Sequence, residues 1–175
     1  MTATITIRTA TAEDFPTMLA IDDDATLLYR EHGIVIDLPG DHPFIVAEQA
    51  RWSRAVANSS AFLAIRGEVL GFAAVGVVDG AGYLDQLSVR RDAQRRGIGG
   101  RLVERAISWA EREGHDSLWL TTYGQLPFNR AYYERHQFSV VPEPEWTPGI
   151  AHHVAEQRRW LPGPEHRVAM RRDLG

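Results

Sequence analysis

The spacing of hydrophobic and polar positions changes several times along the chain, and each change marks an element. Ile5 to Arg8 alternate apolar with polar in β-branched types, which predicts a short first strand ended by Thr9-Ala10-Thr11. Thr11 followed by Asp14 has the form of a helix N-cap, and from Ala12 to Glu31 the residues Phe15, Leu19, Thr26 and Leu27-Leu28 fall at loosely helical spacing. Asp22-Asp23-Asp24 interrupts that pattern, so a bent or split helix is expected. His42-Pro43 opens a second helical stretch through Ala57, with Ile45, Val46, Trp52 and Val56 as core contacts. Three strand-like runs follow, Ala61 to Ile65, Val69 to Val78 and Tyr83 to Val89. Arg66-Gly67-Glu68 and Asp79-Gly80-Ala81-Gly82 separate them and imply an antiparallel meander.

Leu102, Val103, Ala106, Ile107 and Ala110 then return to helical spacing, and Gly114 stops that helix. Ser117 to Thr122 reads as a strand with Leu118 and Leu120 on one face and Trp119 on the other. A short helix from Phe128 to His136, a strand from Phe138 to Val141, a Pro-rich loop from Pro142 to Pro148, a helix from Ile150 to Trp160 and a strand from Arg167 to Met170 complete the order. The expectation is a single α/β domain over residues 1–175 around one mixed, largely antiparallel sheet of six or seven strands, flanked by helices.

Composition narrows the chemistry. Among 175 residues there is no Cys, which removes disulfides, thiolate nucleophiles and Cys-based metal sites. All 19 basic residues are arginines, so neither a Schiff-base lysine nor a phosphate-loop lysine exists. Against 23 acids the net charge is −4, which argues against broad capture of nucleic acid or of an anionic membrane. No apolar run approaches the roughly 18 residues of a membrane span, and a cytoplasmic location is expected. His152 and Glu156 stand at i, i+4 without a third ligand, so they read as a solvated helix face and no metal is expected.

The sharpest local signal is Val89-Arg90-Arg91-Asp92-Ala93-Gln94-Arg95-Arg96-Gly97-Ile98-Gly99-Gly100, between a strand and an amphipathic helix. Such a junction gathers unpaired N–H groups and the positive end of a helix dipole, and glycines let an anion approach the main chain. Arg95 and Arg96 add charge-assisted donors to the same place. The plainer alternative is a tight strand ending with solvated arginines. It is not a dinucleotide fingerprint, because the third glycine is missing and an antiparallel meander precedes it.

At these residues the chain resembles the GNAT superfamily of acyl-coenzyme A-dependent N-acetyltransferases. Gln94-Arg95-Arg96-Gly97-Ile98-Gly99 fits that family's Arg/Gln-x-x-Gly-x-Gly/Ala motif, behind Tyr83-Leu84-Asp85-Gln86-Leu87-Ser88-Val89 where the family has its fourth strand. Pro127-Phe128-Asn129-Arg130-Ala131-Tyr132-Tyr133-Glu134-Arg135-His136-Gln137-Phe138 is similar to its Tyr-Glu-x-x-Gly-Phe helix and strand start. Gln137 replaces the usual Gly, a position that often demands a left-handed backbone, and Leu126 stands where many members place an Asn.

The resemblance implies a sheet splayed between strands four and five, parting after Val89, with acetyl-coenzyme A as co-substrate. The main chain of Leu87 and Val89 would pair with the pantetheine arm. The N–H groups from Arg95 to Gly100 (Arg95, Arg96, Gly97, Ile98, Gly99, Gly100) would hold the pyrophosphate, with Gln94 at the loop's entrance. An N–H near Leu87 or Ser88 would polarise the thioester carbonyl, Asn129 would add a coenzyme contact, and Tyr133 would protonate the departing thiolate. Asp85, two residues before Leu87, is the expected base for the attacking amine. Asp22-Asp23-Asp24, Asp41-His42, Glu143/Glu145, Trp146 and Trp160 would fall on the acceptor side. The implied reaction is direct attack by the primary amine of a small molecule in a ternary complex, and the family analogy suggests a homodimer. A non-catalytic acyl-coenzyme A sensor or assembly domain is the alternative.

Overall fold

Turn chemistry sets the topology of the first half of the sheet. Gly67, at φ +75°, is the single residue between β2 (Ala61–Arg66) and β3 (Glu68–Val78). Asp79 and Gly80, both at positive φ, make the two-residue connection from β3 to β4 (Ala81–Val89), the backbone that a tight hairpin requires. The computed structural model describes residues 3–175 and adds β1 (Thr6–Thr9), β5 (Ser117–Tyr123), β6 (Ser139–Val141) and β7 (Arg167–Asp173). The strands lie in the order β1-β2-β3-β4-β5-β7-β6, and every pairing is antiparallel except that of β4 with β5.

Among the described residues five helices cover the two faces: α1 (Phe15–Arg30), α2 (Pro43–Ala57), α3 (Ile98–Arg112), α4 (Arg130–Glu134) and α5 (Pro148–Trp160). On one face α3 buries Leu102, Val103, Ala106 and Ala110 against Phe62, Ala73, Leu84, Leu118 and Leu120. Each such leucine or valine contributes about 2 kcal/mol by leaving water. The other face is shared. Trp52 and Met18 of α2 and α1 meet Leu63 and Phe72, while Ile150 and Val154 of α5 meet Tyr83 and Trp119. Trp119 thus points away from Leu118 and Leu120, as the alternation predicts.

Several expectations need correction. The acidic run does not break α1, which is one continuous helix after a single 3-10 turn at Ala12–Asp14. Two of its carboxylates have partners on β4 and beyond: Asp22 accepts from Ser88 Oγ and Gln86 Nε2, both at 2.8 Å. Asp24 accepts from the Arg91 N–H at 2.8 Å and from its guanidinium. Tertiary hydrogen bonds therefore override the weak helix propensity of Asp. Val46 is 52% exposed and not a core contact. Helix α4 is five residues long, shorter than the 128–136 stretch expected, and the loop after β6 contains a 3-10 turn at Glu143–Glu145. Gln137 adopts φ +66°, so it takes the left-handed conformation that glycine usually supplies.

The parting of the sheet also begins earlier than expected. Only Gly82↔Leu118 and Tyr83↔Trp119 pair across β4 and β5, so the separation starts after Tyr83 and not after Val89. A β-bulge accompanies it: Val75 opposes Leu84 while Ala74 opposes Gln86, which leaves Asp85 as the extra residue. The bulge shifts the alternation by one position. Leu84, Leu87 and Val89 all lie toward α3, and Gln86 and Ser88 reach Asp22 of α1.

Candidate active site

Beyond Tyr83 the edge of β4 that faces β5 has no strand partner, and two cavities open into this gap. The first, of about 510 Å³, runs from Leu87, Ser88 and Val89 along the loop of Gln94, Arg95, Gly97, Ile98, Gly99 and Gly100. The second, of about 480 Å³, lies between α1, α2, β4, β5 and the start of β7. Asp22, Thr26, Tyr29, Gln86 and Leu87 line both, so the cavities adjoin at the middle of β4.

The first cavity is a main-chain construction. Arg95 (φ +62°) and Gly97 (φ +75°) are both left-handed, and α3 begins at Ile98. The first hydrogen bond into α3 runs from Arg101 N–H to Gly97 O at 3.2 Å, so the N–H groups of Ile98, Gly99 and Gly100 have no helical acceptor. Alternating backbone handedness at a helix start forms a concave nest of N–H donors suited to an oxyanion. Gly99 has its own reason to be glycine, because a Cβ there would stand 2.7 Å from the Tyr132 hydroxyl. Gln94 serves the loop itself, its Nε2 donating to Val89 O at 2.9 Å. Arg96 and Asn129 do not line this cavity. Asn129 is buried as the residue capping α4, and its Nδ2 finds no acceptor.

The wall opposite the loop comes from residues that sequence reasoning did not single out. Tyr29, His32 and Phe128 form an aromatic cluster, with Tyr29 and Phe128 rings 5.7 Å apart and His32 and Phe128 5.0 Å apart. Tyr132, from the same motif as Tyr133, faces the loop-side cavity, whereas Tyr133 lines the second one. Burial, reinforced by Tyr29 and Tyr132, holds the Tyr133 phenol far above its ordinary range, and its hydroxyl bonds to no described residue. It stays protonated, at the wall of the second cavity.

In the second cavity charged side chains converge from separate elements. Asp85, displaced by the bulge, accepts from Arg51 Nε at 2.7 Å and from Nη2 at 3.2 Å, so both its oxygens are occupied by a guanidinium. Glu48, one turn earlier on α2, is half-buried and forms no ion pair with the described residues. Burial first, then the nearby Asp22 and Asp85 carboxylates, push it up to about 8, against Arg51 and Arg167. Burial likewise raises Asp22 to about 6, opposed by its hydrogen bonds from Ser88 and Gln86. Both keep some surface open to the cavity.

Glu48 is the main residue missed from sequence. Nothing local marks it, since a Glu on an amphipathic helix reads as solvated until α2 is laid across the splay. Trp52 packs in the core against Phe72 as expected, whereas of the tryptophans expected near the acceptor Trp146 donates to Val141 O at 2.8 Å and Trp160 meets His42; none of the three lines either cavity. Glu143 is paired with Arg158.

Residues 18–138, more than half of the chain, match the model of the Acetyltransferase (GNAT) family. The chain belongs to that family and is an acetyltransferase by fold and sequence. Solved structures with the same fold include an acetyltransferase of the GNAT family from Staphylococcus aureus, at 17% identity and TM-score 0.71 over 98% of this chain and 100% of that one. An N-acetylglutamate synthase from Neisseria gonorrhoeae, complexed with coenzyme A and N-acetyl-glutamate, is 20% identical at TM-score 0.66. That match covers 99% of this chain and only 36% of the synthase. The ribosomal-protein-S18-alanine N-acetyltransferase from Escherichia coli is 21% identical at TM-score 0.66 over 98% of this chain and 95% of its own. At these identities the likeness is one of fold. No helix among the described residues is long and apolar enough to cross a membrane.

Proposed function

We propose that this chain transfers the acetyl group of acetyl-coenzyme A to the primary amine of a small molecule, by direct attack within a ternary complex. The observation that carries the reading is the meeting of two cavities at the unpaired edge of β4, one walled by free N–H groups and the other by titratable side chains. The loop from Arg95 to Gly100 takes the pyrophosphate, and the edge of Leu87, Ser88 and Val89 takes the extended pantetheine as an added strand. The thioester then lies where the cavities join. An N–H of β4 near Leu87 or Ser88 donates to its carbonyl oxygen as negative charge develops there.

An amine reaches the cavity mostly protonated, because alkylammonium groups have pKa values near 10 and must lose a proton before they attack. Glu48 is the base we propose for that step. Asp85, the base expected from sequence, is given a different part, neutralising and aiming Arg51. A carboxylate held twice by a guanidinium has its lone pairs engaged, whereas Glu48 has none engaged by an ion pair and titrates near working pH. Tyr133 donates its proton to the departing thiolate and takes one back from the nitrogen of the collapsing tetrahedral intermediate, so one amine proton leaves on Glu48 and the other ends on the coenzyme sulfur. No covalent enzyme intermediate is expected, since the chain has no Cys.

The test is free-thiol release from acetyl-coenzyme A with a panel of amino acids, polyamines and aminoglycosides, beside calorimetric titration with coenzyme A. Release with one acceptor class and a 1:1 binding isotherm support the reading. Binding without release from any amine would favour the sensor alternative, and no binding at millimolar coenzyme would overturn both.

A further inference from the structure

Arg167 opens β7 on the floor of the acceptor-side cavity with only 8% of its surface exposed. Its Nε and Nη2 both donate to Gln157 Oε1, at 3.2 and 2.7 Å, and Nη2 also reaches Thr121 Oγ1 at 3.4 Å. The guanidinium lies 4.5 Å from the centre of the Tyr123 ring. Thr121 is itself fixed by Tyr83 and by Gln157 Nε2. These partners are neutral. No carboxylate of the described residues comes within 4 Å of this guanidinium, and its Nη1 donates to no protein group while not being sealed from the cavity. Arg51, on the same cavity, is by contrast neutralised by Asp85.

A guanidinium remains charged in any protein setting, and a buried charge is normally paired. Here three side chains, Gln157, Thr121 and Tyr123, hold the cation without cancelling it, and its free edge turns toward the cavity that also contains the unpaired Glu48. The cavity thus offers a cationic and an acidic end to one small ligand. We propose that the acceptor is a dipolar amine of the amino-acid type, whose carboxylate pairs with Arg167 while its amine lies toward Glu48. This rests on the acetyl-transfer reading above and names the chemical class of its acceptor. It disfavours polyamines and aminoglycosides, which carry no carboxylate, and internal sites of proteins, whose carboxyl groups are amidated.

The experiment compares thiol release with the twenty common L-amino acids and with the same set as carboxamides. For the best acid, kcat/KM should exceed that of its carboxamide by at least about tenfold, the loss expected when a buried charged donor is left without its partner. In Arg167→Gln that ratio should fall by about tenfold or more, with coenzyme affinity by calorimetry within threefold of the wild type. A purely structural Arg167 would weaken acid and carboxamide alike and leave the ratio standing, which overturns the proposal. Should Arg167→Gln not fold, the wild-type ratio decides alone: parity between acids and carboxamides, or faster release with carboxylate-free amines, overturns it while leaving acetyl transfer intact. Failure to bind coenzyme A overturns acetyl transfer itself.

Discussion

On the loop side of the splay the wall that offers N–H groups is main chain drawn from one stretch, residues 87 to 100, whereas on the acceptor side the titratable wall is side chains from α1, α2, β4, β5, α4, α5 and β7. The first construction depends on where glycine and left-handed backbone fall in a short window, so it is written locally. The second depends on seven separate elements arriving together, and Glu48, Asp85 and Arg167 lie 37 and 82 positions apart along the chain. If the second cavity takes the acceptor, as we propose, acceptor choice can be altered by changing single side chains on any of seven elements without disturbing the loop.

The largest effect that tests this contrast is expected from Gly97→Val. Gly97 sits at φ +75° beside open space, so the objection to valine is conformational and not a collision. A β-branched residue resists the left-handed region, and the loop relaxes by turning its N–H groups away from the anion. Losing two charge-assisted hydrogen bonds should weaken coenzyme A binding by at least about a thousandfold in calorimetry. Retained affinity would place the anion elsewhere.

On the acceptor side the first variant is Glu48→Gln. A lost general base costs about a hundredfold or more in kcat/KM at neutral pH. The wild-type rate should rise with pH and level off above about 8, because Glu48 acts only when unprotonated, and the variant should lose that rise. Stability supplies a second readout of opposite sense. A carboxyl raised above its ordinary 4.5 contributes stability that is complete below that value and disappears as pH climbs through about 8. Glu48→Gln should therefore melt higher than the wild type at pH 9, with the difference closing at pH 4. Asp85→Asn should keep the pH-dependent rise; its disappearance there would return the base role to Asp85.

Tyr133→Phe comes next, with turnover lowered at least about tenfold and coenzyme affinity nearly unchanged, since the phenol faces the acceptor cavity. Equal turnover would remove Tyr133 from the proton-donor role. Tyr132→Phe is the control from the neighbouring position, because its hydroxyl faces Gly99 on the loop side.

The same contrast governs what the sequence made legible. Period-two and helical spacing placed the seven described strands along the chain but not β7 between β5 and β6 in the sheet, and the hairpin at Asp79-Gly80 followed from its composition alone. The bulge at Asp85 was hidden, because one added residue in a strand leaves no mark on composition while moving Gln86 and Ser88 to the α1 face. The acidic run in α1 was misread for a related reason: Asp is a weak helix former by itself, and its partners Ser88 and Arg91 come from 66 and 67 positions away. Arg167 gave no signal at all, being one of 19 arginines until burial set it apart.

The smallest expected effect lies outside both cavities and isolates backbone coding from ligand chemistry. Gln137 occupies φ +66° just before Phe138, whose N–H closes the end of α4 on Tyr133 O at 3.1 Å. A side chain in the left-handed region costs about 1–2 kcal/mol, and glycine gives back about 0.5–1 kcal/mol through the extra freedom of the unfolded chain. Gln137→Gly should then stabilise the fold by roughly 0.5–1 kcal/mol, a rise of about 1–4 °C in Tm for a chain of this length. Coenzyme affinity and turnover should not move, because Gln137 lines neither cavity. A lowered Tm would mean that the glutamine side chain supplies a contact worth more than the strain it carries, and a changed turnover would mean that the end of α4 sets the position of Tyr133.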